Sequence, residues 1–140
     1  MATGLLLDTD VLIDYLRGEA QAVAFIKRVR QRWRVSCATV AELYVGVREG
    51  HERQILDRFI DAMDVIDLSA AVAVQAGLWR RDFGPSHGTG LIDALIAATA
   101  HSSGSTLVTL NARHYPMLAG VRVPYRKPAA KTAKTVSKSG

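Results

Sequence analysis

The chain has 140 residues, of which 49% are hydrophobic and 22% are charged. This balance is that of a globular protein with one core, and it excludes a largely disordered chain. The formal net charge is +5, but five of the 18 Lys and Arg residues lie in residues 126–140, and the other 13 match the 13 acidic residues. The overall charge therefore gives no argument for a polyanionic partner.

The sequence gives no sign of an oxidising compartment or a membrane. Cys37 is the only cysteine, which excludes an intrachain disulfide. Near the N-terminus, three leucines are followed directly by Asp8, so the apolar run is too short for a signal peptide or a membrane span. We therefore expect a cytoplasmic protein with no membrane partner.

The hydrophobic pattern predicts strands and helices that alternate along the chain. In chain order, the predicted elements are strand 5–7, a helix capped by Thr9 and closed at Gly18, helix 19–32, strand 34–38, helix 39–48, helix 51–63, strand 64–68, helix 70–81, loop 82–90, helix 91–101, strand 105–110 and strand 121–123. The loop is predicted because glycine and proline interrupt regular structure.

Strands that alternate with helices indicate an α/β protein, a three-layer α/β/α sandwich with a central, mostly parallel sheet covered on both faces. Residues 1–125 accommodate these elements as one domain, and residues 126–140 are expected to form a basic, disordered tail. Ligands of such sheets bind at the carboxyl ends of the strands. Acidic residues at these ends are therefore candidate site residues.

Asp8 directly follows the predicted buried strand, at the edge of the sheet where ligands bind. The structural alternative is that an acid here meets the positive end of the next helix dipole, which contributes about 0.3 to 1 kcal/mol. That alternative suffices for Asp10 and for Asp14, which can pair with Arg17 one turn further on. For Asp8 we favour a functional role.

Two further acids lie in apolar helical segments. Glu42 ends the stretch TVAE, residues 39–42, which also fits a capping box. The sequence does not decide between a functional role for Glu42 and this capping role. Asp93 lies among Leu, Ile and Ala in LIDALIAATA, where an unpaired charge is costly unless a cation or a donor offsets it. The structural alternative is that Asp93 lies in the first turn of a helix capped by Thr89, where the helix dipole stabilises its charge.

Carboxylates from three separate elements, Asp8, Glu42 and Asp93, are thus predicted to converge at the carboxyl edge of the sheet. Oxygen ligands of this kind suit Mg²⁺ or Mn²⁺, which keep several waters and accept phosphate oxygens. A metal ion held there polarises a phosphoryl oxygen and activates a water molecule. The acids therefore predict phosphate chemistry.

The stretch LLLDTDVL also matches the first motif of haloacid-dehalogenase-type phosphatases, in which the first acid of Asp-x-Asp is the nucleophile. Those enzymes also need a downstream lysine and a late pair of acids. Lys27 is the only lysine before the tail, and no two acids are adjacent anywhere in the chain. This interpretation fails because those parts are missing.

Four blocks carry the candidate residues, and their order and spacing are specific for a chain of this length. They are LLLDTDVLIDYLRG with Asp8 and Thr9, SCATVAELYVGV with Glu42, LIDALIAATA with Asp93, and TLVTLNARHYP with Thr109, Asn111 and His114. In these blocks the chain, to about residue 125, resembles the PIN-domain ribonucleases, most closely the VapC toxins of type II toxin-antitoxin modules.

The resemblance implies an α/β/α fold in which Asp8, Glu42 and Asp93 bind Mg²⁺, which Mn²⁺ can replace, and cut RNA. It also implies a small VapB-like antitoxin whose C-terminal segment lies over the acidic site. A homodimer, and contact with operator DNA only through the antitoxin complex, follow from the same resemblance. Thr9 and Thr109 are weaker candidates that would orient the acids.

The chain departs from the family pattern at two positions. Relatives more often carry Asn or Ser where this chain has Asp10, so the extra charge either adjusts metal affinity or points outward. The last block often contributes a fourth acid, for which this chain offers only Asn111 or His114. An amide oxygen can orient a metal-bound water but adds no negative charge, which weakens the case for a second metal ion.

The leading hypothesis is a Mg²⁺-dependent endoribonuclease, the toxic component of a VapBC-type module. A predicted basic helix from Lys27 to Arg34, with Arg80 and Arg81, would guide the RNA backbone or form an ordinary solvated surface. The rival hypothesis is a catalytically weak or inactive PIN-fold protein that acts by binding antitoxin and operator DNA.

Overall fold

The computed structural model describes residues 4–29 and 33–126. Within these ranges the elements in chain order are β1 (Leu5–Leu7), α1 (Thr9–Leu16), α2 (Ala20–Arg28), β2 (Trp33–Ser36), α3 (Cys37–Val45), α4 (His51–Asp61), β3 (Asp64–Ile66), α5 (Ala70–His87), α6 (Leu91–Ser103), β4 (Thr106–Val108) and a 3₁₀ helix (Ala112–His114). The predicted tail lies outside the described residues except for Arg126, and so do residues 30–32 of the second predicted helix.

The described strands form one parallel sheet in the order β3-β2-β1-β4. Strand β1 lies inside the sheet, where Leu6 is in register with Arg34 of β2 and Leu107 of β4. All three residues of β1 are buried, as expected for an apolar strand covered on both faces. The carboxyl end of β1 therefore lies between the carboxyl ends of β2 and β4, in the middle of that edge of the sheet.

Helices cover both faces of this sheet. Because side chains alternate along a strand, Leu5 and Leu7 pack on one face with Val11 of α1 and Phe25 of α2. Leu6 belongs to a second buried cluster, whose other members are Ala38, Ile96, Ala97, Ala100, Leu107 and Tyr115. The predicted three-layer α/β/α architecture is confirmed.

Two helices begin at residues other than the predicted caps. Asp8 caps α1, because its side chain accepts a hydrogen bond from the N–H of Thr9, which is the first helical residue. Ser36 caps α3, because its side chain accepts a hydrogen bond from the N–H of Ala38. The capping box considered as an alternative for residues 39–42 is therefore wrong, and Thr39 is a buried residue inside the helix. Both caps lie at the end of a strand, so each strand passes directly into its helix.

The predicted loop is wrong over residues 82–87, because α5 continues to His87. Pro85 lies in the last turn of this 18-residue helix, where its missing N–H removes a single helical hydrogen bond. The helix ends at Gly88, whose φ of 69° is left-handed and favours glycine.

The predicted strand 121–123 is reduced to one parallel bridge between Arg122 and Val108. This bridge extends the sheet beyond β4, since the Arg122 backbone hydrogen-bonds to Leu107 and Thr109. Within the described residues, no helix has both the length and the apolar character needed to cross a membrane.

Candidate active site

Asp8 lies at the carboxyl end of β1, as predicted, and is 6% exposed. Its Oδ1 accepts a hydrogen bond from the backbone N–H of Thr9 at 2.8 Å. Its Oδ2 accepts from the hydroxyl groups of Thr109 at 2.7 Å and Tyr115 at 2.8 Å. Donors from both ends of the domain therefore fix this carboxylate, and Thr109 has the orienting position predicted for it.

Charge on Asp8 is costly in this environment. Burial raises the pKa of Asp8 above its ordinary value, and the negative charge of Asp93 adds to the rise. Hydrogen bonds from Thr109 and Tyr115 oppose it, because they stabilise the ionised carboxylate. The net rise means that a nearby cation would stabilise the charged form of Asp8.

Asp93 lies in the first turn of α6, which begins after Gly90. Its Oδ2 accepts a hydrogen bond from the N–H of Gly90 at 3.0 Å and lies 3.3 Å from His114 Nδ1. The structural alternative for Asp93 is thus partly correct, since the side chain caps its own helix. The predicted cap, Thr89, instead donates its hydroxyl to the backbone carbonyl of His114 at 2.6 Å.

Tyr115 connects Asp8 and Asp93 and was not predicted from the sequence. Its side chain is 1% exposed, and its hydroxyl oxygen lies 2.8 Å from Asp8 Oδ2 and 3.3 Å from Asp93 Oδ1. Burial, together with the charges of both acids, raises the pKa of Tyr115 well above its ordinary value, so the phenol stays protonated and donates. The available sequence signal was its place in the block TLVTLNARHYP, where a tyrosine is equally typical of a core residue.

Glu42 is exposed on α3 and is linked to Asp8 through Thr9. Its Oε1 accepts a hydrogen bond from Thr9 Oγ1 at 2.6 Å. The same hydroxyl lies 3.1 Å from Thr39 Oγ1. Thr9 therefore orients Glu42, in place of the capping interaction considered from the sequence.

Asp10 points into the protein, so the interpretation that it points outward is wrong. Its Oδ2 accepts hydrogen bonds from the backbone N–H of Leu110 at 3.1 Å and from Asn111 Nδ2 at 3.0 Å. Among the described residues, Oδ1 of Asp10 is buried and has no hydrogen-bond partner. Burial, followed by the charge of Asp8, raises the pKa of Asp10 to about 7. Asn111 thus uses its amide nitrogen to hold Asp10.

The predicted convergence of three acids on one ion is not formed. In the part of the chain that the structure describes, no group of three or more His, Cys, Asp or Glu side chains is arranged to hold a metal ion. Asp8 and Asp93 nevertheless approach the same hydroxyl group, and Mg²⁺ is commonly bound through one or two carboxylates with waters and phosphate oxygens completing its ligands. These two residues therefore fit a largely hydrated Mg²⁺ ion, and direct binding by Glu42 stays a prediction.

Arg34, one of the basic residues predicted to guide RNA, does not lie on the predicted helix, and Arg30 and Arg32 lie outside the described residues. Arg34 belongs to β2, and its Nη1 donates to the carbonyl of Ser103 at 3.3 Å and to Ser105 Oγ at 2.9 Å. These contacts lie at the amino end of the sheet, opposite Asp8. Arg81 forms an ion pair with Asp82 at 2.8 Å. Arg34 is therefore a structural residue.

A groove of about 570 Å³ lies beside Glu42, between α1, α3 and α4. Its apolar lining residues are Ile13, Leu16, Leu43, Val47, Ile55 and Leu56, and its charged ones are Arg17, Glu42, Arg48 and Glu52. Leu16 and Ile55 are 39% and 42% exposed, so both present apolar surface to solvent at this groove. The groove therefore offers an apolar surface next to one of the candidate acids.

The fold and the site define an α/β/α protein with acidic side chains at the carboxyl edge of a parallel sheet. Residues 5–117 match the PIN domain family, and the chain belongs to that family.

Two relatives from Mycobacterium tuberculosis are 35% identical to this chain. Ribonuclease VapC10 aligns over 127 residues, which cover 89% of this chain and 95% of that protein. Ribonuclease VapC19 aligns over 124 residues, which cover 86% of this chain and 98% of that protein. Among solved structures, the chain is similar to a toxin-antitoxin complex from Klebsiella pneumoniae, with a TM-score of 0.77, 27% identity, and coverage of 89% of this chain and 100% of that chain.

Proposed function

We propose that this protein is the toxin of a VapBC-type toxin-antitoxin module and a Mg²⁺-dependent endoribonuclease that hydrolyses RNA phosphodiester bonds. The observation that carries the proposal is the approach of Asp8 and Asp93 to one buried hydroxyl group at the carboxyl edge of the sheet. Relatives named ribonuclease, 35% identical over nearly their whole length, support the same reaction.

Asp8 and Asp93 would hold the Mg²⁺ ion, which Mn²⁺ can replace, and Glu42 would reach it through water. When bound, the ion polarises a phosphoryl oxygen and lowers the pKa of a bound water. The burial penalty that raises the pKa of Asp8 is relieved by a cation at this place.

Threonine hydroxyl groups orient two of the candidate acids by hydrogen bonds. Thr109 fixes the Asp8 carboxylate with a buried hydrogen bond, and Thr9 fixes Glu42 from the adjacent position in the chain. Glu42 is exposed to solvent, so its carboxylate is accessible to the water that attacks the phosphodiester and is suited to accept its proton.

The partner we propose is a VapB-like antitoxin, because the chain is similar to the structure of a toxin-antitoxin complex. The groove between α1, α3 and α4 includes Glu42 in its lining. An antitoxin segment bound there would cover this acid and keep RNA away from it. A homodimer, and contact with operator DNA through the antitoxin complex, stay predictions.

Cleavage by purified protein tests the proposed reaction. The protein, freed of antitoxin, is incubated with structured RNA with and without Mg²⁺, beside the variants Asp93→Asn and Asp82→Asn. Asp82 lies on the surface in an ion pair with Arg81, so its variant is the matched control. We expect Mg²⁺-dependent cleavage by the wild type and Asp82→Asn and its loss in Asp93→Asn. Equal cleavage by all three proteins would indicate a contaminating nuclease and end the proposal.

A second candidate function is a PIN-fold protein that binds antitoxin and operator DNA without cutting RNA. Two observations favour keeping it: no three-residue metal group among the described residues, and an amide at position 111 that holds Asp10. Antitoxin binding by a wild-type protein that cleaves no RNA at any Mg²⁺ or Mn²⁺ concentration would select this function.

A further inference from the structure

We infer that Tyr115 is a positioning residue for the metal site: its hydroxyl group sets the relative orientation of the Asp8 and Asp93 carboxylates so that the two acids bind one divalent cation together. This inference rests on the metal ion proposed above. It assigns to the tyrosine a role beyond packing, because the hydroxyl, and not the ring, would determine cation affinity.

The ring and backbone of Tyr115 are fixed independently of its hydroxyl group. The ring packs in the cluster that contains Leu6 and Leu107 beneath the sheet. The backbone N–H of Tyr115 donates to the carbonyl of Ala112 at 3.0 Å, and its carbonyl accepts from Leu118 at 3.1 Å. The phenol is therefore a rigid arm whose tip reaches the acids, as expected of a residue that orients metal ligands.

The hydroxyl group of Tyr115 lies between the carboxylates of Asp8 and Asp93, which repel each other when both are charged. A phenol has one proton to donate, and the hydroxyl oxygen is nearer to Asp8 Oδ2, at 2.8 Å, than to Asp93 Oδ1, at 3.3 Å. The positive end of the O–H dipole stabilises negative charge at this point, where two carboxylates would otherwise face each other. The hydroxyl thus donates its short hydrogen bond to Asp8 and, through the longer contact, keeps Asp93 beside it before a cation arrives.

Each acid keeps other partners when the hydroxyl is removed. Asp8 retains the N–H of Thr9 and the hydroxyl of Thr109, and Asp93 retains the N–H of Gly90. The variant Tyr115→Phe is therefore expected to keep both acids and the packed ring but to lose their mutual alignment. A matched control exists in Tyr125→Phe, because Tyr125 donates its hydroxyl to the buried carboxylate of Asp14 at 2.9 Å.

The decisive measurement is the affinity of the metal-free protein for Mn²⁺, obtained by titration with electron paramagnetic resonance of the free ion. We expect Tyr115→Phe to bind Mn²⁺ about tenfold more weakly than the wild type, and Tyr125→Phe to bind like the wild type. Unchanged or tighter binding by Tyr115→Phe overturns the inference. An equal weakening in both variants overturns it as well, because it would show a general response to loss of a tyrosine hydroxyl that donates to a carboxylate.

A second readout separates positioning from a merely structural role. The Mg²⁺ concentration that gives half-maximal RNA cleavage should rise about tenfold in Tyr115→Phe, with cleavage at saturating Mg²⁺ restored to within a few-fold of the wild type. A lower rate at every Mg²⁺ concentration with no shift of the midpoint would contradict it. Should the wild type bind no Mn²⁺, the proposed metal-dependent function fails too, whereas wild-type binding with an unaffected Tyr115→Phe removes the tyrosine role alone.

Discussion

Thr109 and Asp8 are 101 positions apart in the chain and are joined by a buried hydrogen bond of 2.7 Å between Thr109 Oγ1 and Asp8 Oδ2. Thr109 follows β4 directly and Asp8 follows β1, and these two strands are neighbours in the sheet. The bond therefore connects the first and last blocks of the family pattern at the point where both strands end.

Thr109→Val is expected to destabilise the protein by about 1 to 3 kcal/mol, because it removes a buried donor to a carboxylate and keeps the shape of the side chain. Urea unfolding in the absence of metal measures the change. Thr106→Val, the same substitution at the start of β4, is the control. A loss no larger than that of the control would show that the bond to Asp8 contributes little.

Asp10, whose Oδ1 is buried, predicts a pH-dependent stability. Because its pKa rises from 3.8 to about 7 on folding, the folded state binds the proton more tightly than the unfolded state does. Stability should therefore fall as the pH rises from about 4 to about 7, and Asp10→Asn should reduce this fall. Urea midpoints measured across this range in EDTA test it, and parallel curves for the two proteins would contradict it.

Glu42→Gln should lower RNA cleavage by about 100-fold or more, because the amide has little capacity to take a proton from water. Its stability should change little, since Glu42 is exposed. Glu49→Gln is the control for removing one surface acid. The Glu49 side chain is 78% exposed, and the residue follows α3 in the chain. Cleavage by Glu42→Gln that equals cleavage by Glu49→Gln would show that Glu42 has no part in the reaction.

Asn111→Asp tests whether the amide limits metal binding. The new carboxylate would face Asp10 Oδ2, which Asn111 Nδ2 now contacts at 3.0 Å, so the metal-free protein should lose stability through repulsion. Mn²⁺ should then raise the melting temperature by at least about 2 °C more than it does in the wild type. If Mn²⁺ raised the melting temperature equally in both proteins, residue 111 would not contribute to metal binding.

Removal of the basic tail tests its affinity for RNA. The cut belongs after Arg126, because Tyr125 donates a hydrogen bond to Asp14 and must be kept. With Asp93→Asn as the background, loss of the four tail lysines should reduce the salt slope of RNA binding by up to about 3, at about 0.7 for each single-strand phosphate contact. An unchanged slope would mean that the tail does not touch RNA.

The local pattern of the sequence determined the layered fold and the place of Asp8. Three leucines followed by an acid predicted a buried strand with a carboxylate at its end, and helical periodicity predicted the elements around it. Local pattern was misleading where tertiary contacts decide: the breakers at residues 82–87 lie in α5, and the capping box at residues 39–42 lies inside α3. There a local preference is weaker than the packing of a whole helix.

Only the tertiary structure decided which side chains meet the acids. Tyr115 is in contact with Asp8 across 107 positions, and Thr9 with Glu42 across 33. Hydrophobic periodicity states which face of an element is buried, but it does not state which hydroxyl reaches which carboxylate across the sheet edge. That relationship depends on strand order and register, since parallel pairing brings the ends of β1 and β4 together.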